Sequence, residues 1–116
     1  LIIKEGYYWF SSASEGLFAL DTKNNTCFNY PVTIKDKKGN NIPLMYRGVM
    51  LNNNLWFASP KGLLRFNLIH KQWDLFLAGQ SFFSIAHCRD TLYLGNNENI
   101  EWFDKKKKKK RVLQNK

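Results

Sequence analysis

Three segments of the chain are versions of one another, and that self-similarity constrains the fold more than any other feature. The clearest copy runs Trp56-Phe57-Ala58-Ser59-Pro60-Lys61-Gly62-Leu63-Leu64-Arg65-Phe66-Asn67. A second begins at Trp9 and ends at Asp21, one residue longer in the middle, and a third runs from Tyr93 to Asp104. Units of this length, repeated along one chain, stack as small supersecondary modules that share a core. The functional question therefore moves from catalysis towards display.

Each copy reads as four short strands. In the middle copy they fall at Gly48–Leu51, Leu55–Ala58, Gly62–Asn67 and Gln72–Phe76. The first strand ends in a polar turn: Asn52-Asn53-Asn54 here, Glu5-Gly6 and Arg89-Asp90 in the other copies. Asn, Asp and Gly accept the positive φ that tight hairpins require. The second strand is aromatic and apolar, as a strand packed on both faces should be. Gly16 or Gly62 opens the third strand, and Asn99 stands at that place in the third copy as an expected left-handed residue. Asp21, Asn67 and Asp104 close the third strand and read as turn formers whose side chains bond nearby N–H groups. The turns that follow are Thr22–Asn25, Leu68–Lys71 and Lys105–Lys109. No segment carries a helical period longer than about two turns.

The expected fold is all-β: a partial β-propeller of three four-stranded antiparallel blades belonging to a larger propeller. The blades occupy about 1–30, 48–77 and 83–114 of a single domain, with 31–47 as an inter-blade connection. Trp9, Trp56 and Tyr93 should sit at equivalent places, and strand aromatics, Trp102 included, read as core between sheets. Propellers usually need about four to eight blades, so three leave open edges. Further blades of a longer protein are the favoured explanation, and Leu1 standing inside a strand with no signal peptide or start methionine fits it; assembly of copies, for example as a homodimer, is the other.

Composition excludes several functions. Net charge is +9, but Lys105–Arg111 alone supplies seven positive charges, and the rest of the chain is nearly neutral. The run contains no interleaved aromatics, so nucleic acid is not expected as a partner. No apolar run approaches the roughly 20 residues of a membrane helix. His70 and His87 have no ligand-spaced Cys or carboxylate near them, so no metal site is expected, and no cofactor. Cys27 and Cys88 fall on different, non-adjacent blades and are not expected to pair. No nucleophile–base pair or phosphate loop supports catalysis.

The segment "LWFASPKGLLRFNLIHKQWDLF" resembles the two-component regulator propeller repeat through Trp56, Ala58, Ser59, Gly62, Leu63, Phe66 and Asn67. The first copy matches through Trp9, Ser11, Gly16, Leu17 and Asp21. The third matches more loosely, through Tyr93, Gly95, Asn96, Phe103 and Asp104, and departs at Asn99-Ile100. The resemblance implies a periplasmic sensor domain of a hybrid two-component system protein or histidine kinase. It implies an oligosaccharide ligand, with signalling domains elsewhere in the parent as partners. The alternatives are a scaffold propeller that binds proteins and a fragment of a quinoprotein-type enzyme.

In a propeller the turns between second and third strands lie on one face with the blade-to-blade links. Ser12, Glu15, Ser59, Lys61, Asn96 and Glu98 are therefore the expected ligand-binding residues, a rim of hydroxyls, amides and single charges suited to a polar ligand. The lysine run, in a turn between third and fourth strands, should lie on the opposite face.

Overall fold

In the computed structural model, residues 2–4, 6–44, 46–104 and 109–114 are described. Twelve strands run in order: β1 (Ile2–Lys4), β2 (Tyr7–Ser12), β3 (Gly16–Asp21), β4 (Thr26–Tyr30), β5 (Gly48–Leu51), β6 (Asn54–Ser59), β7 (Gly62–Asn67), β8 (Gln72–Phe76), β9 (Ser84–Cys88), β10 (Thr91–Gly95), β11 (Asn99–Asp104) and β12 (Lys109–Gln114). They form three separate four-stranded sheets, β1–β4, β5–β8 and β9–β12, each an antiparallel meander in chain order. No helix occurs among the described residues. The fold is all-β, and each sequence copy is one sheet.

Turn chemistry sets the register. Asn52 and Asn53 both take positive φ, 50° and 53°, and close the β5–β6 hairpin in two residues. This left-handed pair matches the twist of the flanking strands. The β3–β4 and β7–β8 turns are built alike. Asp21 Oδ1 accepts the N–H groups of Lys23 and Asn24, Asn67 Oδ1 accepts those of Ile69 and His70, and the fourth residue on, Asn25 or Lys71, is left-handed. Asp21 and Asn67 are thus turn formers, as their repeated place implied.

Two expectations are corrected here. Asn99 is not among the residues with positive φ. The β10–β11 turn is held instead by Asn96, whose Oδ1 accepts the N–H of Glu98 and of Asn99, so the third strand can open without a left-handed residue. Lys109 belongs to β12, paired with Asp104, rather than to the preceding turn. Lys105–Lys108 lie outside the described residues.

The sheets pack face to face with the middle one in the centre. Trp9, Leu17 and Ala19 of the first sheet meet Leu55, Phe57, Leu64 and Phe66 of the second. Trp56, Ala58 and Leu63, on the other face of the second sheet, meet Leu92, Leu94 and Phe103 of the third. This explains why β6 is buried from Leu55 to Ser59 while β2, covered on one face, buries only Trp9. Ring contacts bridge both seams: Trp9 lies 6.1 Å from Phe66, and Trp56 6.0 Å from Phe103, centroid to centroid. Each fully buried large apolar side chain contributes about 1.5–3 kcal/mol, and such contacts hold the stack together, because among the described residues no strand pairing joins the sheets. Among the described residues, no other sheet covers the outer face of the first or of the third sheet.

The connections complete the seams. In 31–47, Val32, Ile42 and Leu44 are buried in the first seam. In 77–83, Phe82 is fully buried in the second. Cys27 and Cys88 are free and exposed, on β4 and β9.

Candidate ligand-binding rim

The β2–β3, β6–β7 and β10–β11 hairpins lie on one face, and backbone hydrogen bonds establish this for the second and third sheets. The connection 77–83 donates from Gly79 N to Lys61 O (3.0 Å), from Phe82 N to Ser59 O (2.9 Å), and from Phe83 N to Gly95 O (2.9 Å). One segment thus runs across both hairpin ends. For the first sheet the link is steric. Gly16 lies so close to the start of the 31–47 connection that a Cβ on it would be 2.7 Å from Pro31 Cα. The same connection reaches the Pro60–Lys61 turn, where Lys35, Lys38 and Ile42 line a cleft of about 430 Å³ together with Lys61. On the opposite face, Asn52 donates to Asp90 across the β5–β6 and β9–β10 turns. Adjacent hairpins of a meander point opposite ways, so the β11–β12 end of the third sheet also lies on that opposite face.

The 31–47 connection carries its own small hairpin. Asp36 Oδ1 accepts from Lys38 N and Asn40 N, Ile42 N donates to Ile34 O, and Lys35 bridges to Asn41. The Asp36 carboxyl is held below the ordinary carboxylate value, chiefly by the hydrogen bond from Asn40 N–H, with the charges of Lys61 and Lys38 adding to it. That hairpin puts Lys35, Lys37 and Lys38 beside Lys61, so four lysines and a single carboxylate, Asp36, border this part of the rim.

A second recess lies at the first-strand edge of the sheets, where β5 and β9 touch. Tyr46, Arg47 and Gly48 line a cleft of about 330 Å³ with Trp9, Phe10 and Ser11, and a shallower one of about 730 Å³ with Phe83, Ser84 and Ile85. Tyr46 meets Phe83 edge-on at 6.0 Å, and Arg47 is exposed. An aromatic ring, an exposed guanidinium and hydroxyls bordering one concave edge form the donor set that polar ligands use.

The six residues expected at the rim divide by role. Glu15, Lys61 and Glu98 are exposed on the rim face, and Ser12 is half-buried at the end of β2. Ser59 does not fit the expectation of a ligand contact: it is fully buried, its hydroxyl donates to Gly62 O (2.8 Å) and accepts from Lys61 N (3.1 Å), and both bonds close the hairpin. Asn96 is likewise committed, donating from Nδ2 to Glu101 Oε2 while its Oδ1 holds the turn. Glu15 and Lys61 border different clefts, with the 31–47 connection between them.

Tyr46, Arg47 and the Lys35–Lys38 cluster went unassigned in the sequence, because they lie outside the repeat. The available signal was the connection itself, whose Asp36-Lys37-Lys38-Gly39 reads as a hairpin turn. Among the described residues no group of three or more His, Cys, Asp or Glu side chains could hold a metal ion, and no helix is long and apolar enough to cross a membrane. No protein-family model matches the chain, and no curated protein matches it.

Proposed function

We propose that this chain is a non-catalytic, ligand-sensing segment of a β-propeller, its three sheets being successive blades. The observation that carries the reading is the gathering of all three second-to-third-strand hairpins and both connections on one face, beside the Tyr46–Arg47 recess. A stack of repeated meanders with variable loops on one face suits binding by those loops. The ligand class we propose is an oligosaccharide, and the lysines beside Lys61 favour one bearing carboxylate or sulfate groups. In a periplasmic sensor of the two-component type, a kinase domain elsewhere in the parent would read a ligand-induced shift between domain arrangements.

The experiment is titration calorimetry of the chain with neutral and acidic oligosaccharides, comparing two double variants. Arg47→Ala with Lys61→Ala should weaken binding by about tenfold or more, equivalent to about 1.4 kcal/mol. Asn24→Ala with His70→Ala, on the opposite face, should leave it within about threefold. Loss from the second pair with none from the first would place the ligand on the wrong face for this reading.

A further inference from the structure

We infer that copies of this chain associate head to tail, the uncovered face of the third sheet on one copy packing against the uncovered face of the first sheet on the next. The chain makes one kind of sheet–sheet interface twice within itself. One half is the face bearing Trp9 and Leu17 in the first sheet and Trp56 and Leu63 in the second. The other half is the face bearing Phe57 in the second sheet and Leu94 in the third. Strand pairing fixes which residues share a face, and the same register places Tyr93 and Ile100 where Trp56 and Leu63 stand. It places Phe10 where Phe57 and Leu94 stand.

Exposure identifies the missing partner. Leu17 and Leu63 are 1% and 0% exposed, whereas Ile100 at the equivalent place is 47% exposed. Phe57 and Leu94 are 3% and 0% exposed, whereas Phe10 is 40% exposed. Phe10 also stacks on Phe18 at 5.5 Å and 14°, and Tyr8, Leu20 and Cys27 continue that face with no charged side chain. An uncharged aromatic strip on a sheet marks an interaction surface. Its complement is present on the same chain, in the half-interface that the third sheet repeats and leaves uncovered. The two halves differ, so neither reproduces the internal packing by meeting its own kind. The contact is heterologous, between unlike faces of two copies. The inference depends on the sheet packing alone and not on the ligand reading.

The test is sedimentation equilibrium of the full chain, alone and as Phe10→Glu and Ile100→Glu variants, from about 1 to about 200 μM, the range in which a modest interface associates. The expected result is a weight-average mass that rises above the 13.7 kDa monomer with concentration for the natural chain. Each variant alone stays at monomer mass, because one face is spoiled on every copy. An equimolar mixture recovers dimers and nothing larger, because Ile100→Glu still offers an intact first-sheet face and Phe10→Glu an intact third-sheet face. A natural chain that stays monomeric throughout, variants that still associate alone, or a mixture that stays monomeric would each overturn the inference. Should glutamate cost either variant its β-sheet circular dichroism, Phe10→Ser and Ile100→Ser read the same outcomes with a smaller perturbation.

Discussion

Replacing Gly62 with Ala should destabilise the chain by about 2–6 kcal/mol, from two separate causes. Gly62 opens β7 with φ +145°, a conformation that costs a residue with a Cβ about 1–3 kcal/mol. An added Cβ would also stand 2.8 Å from Leu75 Cδ1, 2.8 Å from Phe76 O and 3.1 Å from Leu77 O. The Leu75 methyl can swing away. Phe76 ends β8 and Leu77 follows it directly, so this backbone cannot retreat without disturbing the pairing of Phe76 with Leu63 on β7, and overpacking of this kind costs about 1–3 kcal/mol. Gly16 holds the matching place in the first copy, with φ +92° and a Cβ position 2.8 Å from Tyr30 O, so Gly16→Ala should cost about as much. Gly39 is the control: its φ is +86°, but nothing lies within 4 Å of its Cβ position, so Gly39→Ala should cost only about 1–2 kcal/mol. Urea denaturation separates the cases. With m of about 1–3 kcal/mol/M, a 3 kcal/mol loss moves the midpoint by about 1–3 M at unchanged m. Equal midpoints for Gly62→Ala and Gly39→Ala would refute the close-approach argument, and a large cost at only one of Gly16 and Gly62 would refute the equivalence of the copies.

Arg65 Nη2 lies 2.6 Å from Asp74 Oδ2, and its guanidinium sits over Trp56 and Phe76 at 5.6 and 4.9 Å. Both charges are partly exposed, so Asp74→Asn should cost less than about 1 kcal/mol, whereas Arg65→Ala, which also uncovers the two rings, should cost about 1–2 kcal/mol in urea denaturation. Asp21 is held below the ordinary carboxylate value first by the Asn24 side-chain hydrogen bond, with N–H bonds from Asn24 and Lys23 assisting. Its contribution is therefore present above the unfolded-state pKa and lost as pH falls through the lower folded value, so Asp21→Asn should flatten the acid limb of stability against pH in urea midpoints measured from neutral to acid.

Much of the fold was legible in the sequence because turn chemistry is local. Gly16 and Gly62, the Asn52-Asn53 pair, and Asp21 and Asn67 each carry their own conformational instruction, and three of the middle sheet's four strands have the bounds read from the sequence. Less legible was what each position faces. Ser59 looks like any rim serine in sequence, but the 77–83 connection covers it and its hydroxyl is used within the hairpin. Trp102 reads like the core tryptophans Trp9 and Trp56, yet it lies half-buried beside Tyr93 on a face no sheet covers. Asn99 misled because Asn96, three residues earlier, does the work of the turn. Arg47 and Tyr46 were invisible to repeat matching, since they lie in the connection outside the repeat and only the fold brings them beside Phe83 and Ser84.

The common face of the hairpins is tested most directly by distances between spin labels, measured by pulsed electron double resonance after replacing the exposed Cys27 and Cys88 with Ser. Labels at Lys61 and Asn97 occupy the β6–β7 and β10–β11 turns, and a label at Asn52 occupies the β5–β6 turn at the far end of the middle sheet. Stacked sheets lie about 10 Å apart, and a six-residue strand spans about 20 Å. The Lys61–Asn97 distance should therefore be the shorter, by roughly 10 Å or more, than the Asn52–Asn97 distance. A shorter Asn52–Asn97 distance would mean that the second and third sheets are inverted relative to one another, and no shared rim would exist.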